Sequence, residues 1–329
     1  MSSPIRFAAL VAAALAGLAA AEPSSPSVTE YLIPRPGAFP HDPAVGADGI
    51  VWYTDQATSH IGRFDPETGK FTDYATPTSQ AGPHGIVVAP DGVVWFTENA
   101  RGKIGRLDPS TGTIREYPLP PAATDPHTPL VHAGRIWFTA QGADLYGVLD
   151  PATGQATLYP VPVPKALPYG LVAGRDGGLW MALFGTNAIG RIDPASGALR
   201  RFRLPDAAAR PRRLVVDSGG VIWFTDYARG RLGRLDPKTG AVRFFASPGG
   251  EGSGPYGIAI TPDGRIWYDE SGKNEIVTFD PATQAMTTVP IPTPGATVRN
   301  LAVDSTRGRL WLALSGTQRL GRVDLGAGR

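Results

Sequence analysis

The chain has 329 residues, no cysteine, and 31 basic against 29 acidic side chains. The absence of cysteine excludes thiol catalysis, disulfide staples and cysteine-ligated zinc, and no basic run with interleaved aromatics marks a nucleic-acid binder. Length alone suggests two domains, a prior that an internal repeat overrides.

In chain order, Met1 to Ala21 reads first: a short region with Arg6, an Ala-rich apolar run, and small residues at Ala19 and Ala21 suited to cleavage before Glu22. The run is too short for a membrane span. Residues 1–21 are therefore expected to be a secretory signal and 22–329 a single domain, in the periplasm or outside the cell. "TEYLIP" (Thr29 to Pro34) follows and has the look of an outer strand cut off from its sheet.

Residues 82–99, "GPHGIVVAPDGVVWFTEN", form two apolar runs folded about a Pro-Asp-Gly turn. With the turn centred near Asp91, antiparallel partners sum to about 182, so Ile86 is expected opposite Phe96, and His84 opposite Glu98.

The hairpin recurs. Seven tryptophans, Trp52, Trp95, Trp137, Trp180, Trp223, Trp267 and Trp311, are spaced by 43, 42, 43, 43, 44 and 44 residues. Each marks a unit that continues through an "IGRxDPxTG"-like third strand to an "EYPLP"-like fourth. Four short strands at this period are one propeller blade, whose sheet must pack against neighbours to bury both faces. The expected fold is all-β: a seven-bladed β-propeller of four-stranded antiparallel blades. The last unit stops after its third strand, so Thr29 to Pro34 is expected to supply the missing one and lock a monomeric ring.

In such a ring the start of the inner strand and the end of the second strand share one face. Around eleven residues before each tryptophan stand His41, His84, His127, Tyr169, Arg212, Tyr256 and Arg299; three after it stand Asp55, Glu98, Ala140, Leu183, Asp226, Glu270 and Leu314. Three of only five histidines thus fall side by side at one channel mouth. The pattern suggests His84 and His127 as catalytic imidazoles, with His41, Tyr169, Arg212, Tyr256 and Arg299 around a small-molecule or anionic oligomeric substrate. Glu98, Asp125 and Asp55 are the candidate ligands of a divalent metal.

The blade pattern "PHGI…DGxxWFTEN…KIGRL…EYPLP" resembles the streptogramin B lyase (virginiamycin B lyase) family of seven-bladed propellers. That resemblance implies ring opening of a cyclic depsipeptide lactone by elimination, with magnesium and a histidine base. It also implies a histidine in the penultimate blade, a Glu-Pro-His in the last, and a further glutamate. In register this chain carries Tyr256, Thr297, Arg299 and Leu314; shifted around the ring, His41, His84 and Glu98 match better, and Asp125 with His127 match one blade further on. A non-catalytic binding propeller and a propeller lactone hydrolase remain open as alternatives.

Overall fold

The computed structural model describes residues 26–325; the expected signal segment lies outside them. Within them the chain forms seven four-stranded antiparallel sheets, each in consecutive strand order except the last. Blade 1 comprises Pro40–Val45, Val51–Asp55, His60–Asp65 and Lys70–Ala75, and blade 2 comprises Pro83–Val88, Val94–Glu98, Lys103–Asp108 and Thr113–Pro118. Blades 3 to 7 follow the same plan from residues 126, 168, 211, 255 and 298. No helix among the described residues is long and apolar enough to cross a membrane.

Two side chains explain why each unit repeats as it does. The tryptophan fills the gap to the next blade: Trp52 packs on Ile86, Val94 and Phe96 of blade 2, and Trp95 on Ile136 and Phe138 of blade 3. Trp311 of blade 7 packs on Val51 and Tyr53 of blade 1, which closes the apolar ring. In four of the blades a glycine of the third strand lies opposite the aromatic ring that follows the tryptophan, as in Tyr53↔Gly62, Phe96↔Gly105, Phe138↔Gly147 and Phe224↔Gly233. A Cβ on Gly105 would sit 2.1 Å from Phe96 Cζ, so the ring lies flat only over a residue without a side chain.

The ring closes as expected. Val28–Leu32 pairs with Arg319–Asp324, from Val28↔Val323 to Leu32↔Arg319, and becomes the outer strand of blade 7. Glu30 accepts hydrogen bonds from the amide and hydroxyl of Thr293, in the linker between blades 6 and 7. Glu116 holds Thr78 in the same way between blades 1 and 2, at 2.8 and 2.6 Å. The N-terminal strand therefore reproduces the outer-strand clamp of an uninterrupted blade.

Candidate functional site

All seven inner strands shift register at the same place. In blade 2, Ile86 faces Phe96 as expected, but Pro83, not His84, pairs with Glu98. His84 and Gly85 together stand opposite the single residue Thr97, which is a β-bulge. The extra residue leaves His84 outside the ladder, on the inner wall of the ring.

A threonine fixes the bulge in blades 1, 2, 3 and 5. Thr97 Oγ1 accepts the Gly85 amide at 2.9 Å and donates to the His127 carbonyl of blade 3 at 2.8 Å. Thr54 does the same for Asp42 and His84, and Thr139 for Thr128 and Tyr169. Blade 6 has Asp269 instead, which accepts the Gly257 amide at 2.6 Å. The Ser271 hydroxyl lies 2.5 Å from Asp269 Oδ2 and 2.9 Å from the Val298 carbonyl, two acceptors for one proton unless the acid carries its own. Burial pushes Asp269 up to about 7, consistent with a protonated acid.

The bulges assemble a column of rings. His41 and His84 have centroids 3.8 Å apart, His84 and His127 3.7 Å, and His127 and Tyr169 3.9 Å. All four are buried. The hydroxyls of Tyr169 and Tyr256 hydrogen-bond to each other. Arg212 sits over these rings, its Cζ 3.8 Å from the Tyr256 centroid, 4.5 Å from Tyr227, 4.7 Å from Phe184 and 4.8 Å from Tyr169. The three histidines, Tyr169, Tyr256 and Arg212 thus converge, and Arg299 lies 5.7 Å from the Tyr256 ring.

Burial, and then neighbouring histidines and arginines, hold His84 well below the usual imidazole range; burial, Arg213, His41 and Arg212 do the same to His127. His41 is lowered chiefly by burial, against the opposing pull of Asp42. All three are neutral near pH 7. His41 Nδ1–H donates to Asp42 at 3.0 Å, while His84 Nδ1 is buried with no partner.

The bulge also turns a second residue inward, and sequence reasoning missed it. Asp42 of blade 1 meets Arg213 of blade 5 across the ring, with Nη2 2.8 and 2.9 Å from its two oxygens and both side chains buried. Burial opposes ionisation of Asp42, but Arg213 and His41 outweigh it and hold the acid below its usual range. Among the described residues, His41, Asp42 and His84 are the one group of three able to hold a metal ion, with ligand atoms within 4.8 Å of one another. Two imidazoles and a carboxylate already claimed by an arginine do not match magnesium, which prefers oxygen ligands and keeps several waters.

The acids expected beside the histidines lie elsewhere. Because Thr97 points to blade 3, Glu98 next to it points to the opposite face of its sheet. Three of the four acids at the ends of the second strands, Asp55, Asp226 and Glu270, accordingly anchor the linkers that enter their own blades. Asp55 accepts from Phe39 N at 3.0 Å and Arg35 Nη2 at 2.7 Å; Asp226 binds Arg210 N at 2.8 Å and Arg231 at 2.6 Å; Glu270 binds Gly249 N. Glu98 has both oxygens buried and unpartnered, and burial with the nearby Glu116 carboxylate pushes it up to about 8. Asp125, in the linker between blades 2 and 3, accepts from the Asn99 side chain of blade 2. None of Asp55, Glu98 or Asp125 joins a metal-competent group with the histidines.

A model of the virginiamycin B lyase family matches residues 22–183 and 155–328. Among solved structures, a streptogramin B lyase is 28% identical with a TM-score of 0.84, over 91% of this chain and 97% of that one. Selenomethionine-substituted virginiamycin B lyase from Staphylococcus aureus is 27% identical with a TM-score of 0.84, over 92% and 100%. A catalytically inactive histidine-to-alanine variant of the Staphylococcus aureus enzyme, solved with quinupristin, is 27% identical with a TM-score of 0.85 over the same shares. No curated protein matches.

Proposed function

This chain belongs to the virginiamycin B lyase family, and on that premise we propose that it is an exported lyase that cleaves a carbon–oxygen bond by elimination at the channel mouth. The observation that carries the reading is the column of three neutral imidazoles lying beside an arginine. The neutral imidazole of His84 removes a proton from the carbon next to a carbonyl. The electron pair left behind forms a carbon–carbon double bond as the β carbon–oxygen bond breaks and the leaving oxygen departs with its electrons. Negative charge growing on the carbonyl oxygen is met by the Arg212 guanidinium and the Tyr169 and Tyr256 hydroxyls. His127, its ring tilted against that of His84, is the second imidazole able to take up or return a proton, and His41 and Arg299 complete the wall that holds the substrate. A lactone, an ester and a polyuronide all offer this chemistry.

The test is a screen of lactones, depsipeptides and polyuronides for the absorbance of a new conjugated double bond. Release of acid without that absorbance would make the protein a hydrolase. A non-catalytic binding ring is the second reading, favoured by the burial of all three imidazoles beneath the partly exposed Arg212 and Arg299. Binding without any turnover would select it.

A further inference from the structure

The mouth carries two cations that form no ion pair among the described residues. Arg35 meets Asp55 and Asp73, Arg231 meets Asp206 and Asp226, and Arg213 meets Asp42. Among the described residues, Arg212 and Arg299 form no ion pair; Arg212 makes a single hydrogen bond, 3.2 Å to the Tyr169 hydroxyl, and the Nε of each is buried without a partner. Four aromatic rings cage the faces of the Arg212 guanidinium, which strips water from them and fixes the plane of the group. Arg299 approaches the same Tyr256 ring from blade 7, as Arg212 does from blade 5. Holding positive charge there without a counter-ion is unfavourable, and the planar fork of an arginine matches a carboxylate through two parallel hydrogen bonds.

We propose that the ligand of this mouth carries a carboxylate, gripped by Arg212 together with Arg299, and that the two arginines take the charge-neutralising part without a divalent cation. This rests on the proposed elimination only in placing the carboxylate so that its α-carbon faces His84; the binding itself does not depend on turnover.

The test is calorimetric titration, with and without EDTA, with two acids of different skeleton, trigalacturonate and N-acetylphenylalanine, and with the methyl ester of each. At least one acid is expected to bind tenfold or more tighter than its ester, less tightly as salt is raised. Arg299→Gln should erase that preference at an unchanged melting temperature, and Arg212→Lys, which keeps the charge but loses the fork, should weaken the acid about tenfold. Equal binding of acid and ester for both skeletons, binding of neither acid, or a preference that survives Arg299→Gln would overturn the proposal. Acid binding that EDTA abolishes would overturn its metal-free half. Acid preference with no double-bond formation on trigalacturonate, which carries a β carbon–oxygen bond, or on any lactone or depsipeptide of the screen would defeat the lyase reading and leave this one standing; elimination on a neutral lactone with no preference for acids would do the reverse.

Discussion

At the scale of the residue, burial decides how the histidines behave. His84 is only 5% exposed and wedged between the rings of His41 and His127, so truncation to alanine would open a void, and His84→Gln is the cleaner substitution. Because burial keeps the imidazoles neutral below their ordinary range, turnover should stay level as pH drops through 6.5 and decline only at lower pH. The unfolded chain takes up protons near 6.5 while the folded site refuses them, so stability should fall as pH decreases below that value. Urea midpoints measured across pH 4 to 7 check this; a midpoint unchanged over that range contradicts it. Glu98 works in the opposite sense. Its folded form keeps a proton up to about 8 that the unfolded chain releases near 4.5, so it costs stability as pH rises between those values. Glu98→Gln should remove that part of the slope, and an identical slope in the variant would show the carboxyl to be solvated. The clustering of His41, His84, His127, Tyr169, Arg212 and Tyr256 was legible because the repeat put them at equivalent positions. Asp42 and Arg213 were not, because regular strand alternation allows one inward residue where the bulge allows two.

At the scale of the element, the blade depends on two small residues whose part the repeat displays without explaining. Thr97 satisfies the bulge amide and the carbonyl of the next blade at once. Thr97→Val preserves its shape and leaves both buried groups unpaired, for an expected loss of about 1–3 kcal/mol. Gly105→Ala forces a methyl group into the Phe96 ring, with an expected loss of about 1–3 kcal/mol from overpacking. Melting temperatures of the two variants equal to that of the parent would contradict both assignments. The threonine recurs as "WFT" and the glycine as "IGR", yet a pattern of letters does not say which neighbour each touches. The acids of "TD" and "TE" were misplaced for the same reason: their face follows from where the preceding threonine points, which only the inter-blade hydrogen bonds reveal.

At the scale of the whole molecule, the seven-tryptophan period fixed the number of blades and the missing last strand fixed the closure, both readable because a propeller repeats one solution. Removing the segment through Leu32 would uncover the edge of Arg319–Asp324 and the clamp on Thr293. That truncation should lower the melting temperature and promote aggregation through the open edge; an equally stable monomer would show the latch to be dispensable. What the ring does at its mouth was less legible, since the bulges place its side chains. The most direct test is to carry the parent and His84→Gln side by side through the panel of lactones, depsipeptides and polyuronides, recording conjugated double-bond absorbance and melting temperature together. The expected result is absorbance that grows with the parent and not with the variant, at comparable melting temperatures. Full activity in His84→Gln, with loss of activity in Tyr256→Phe, would contradict His84 as the base.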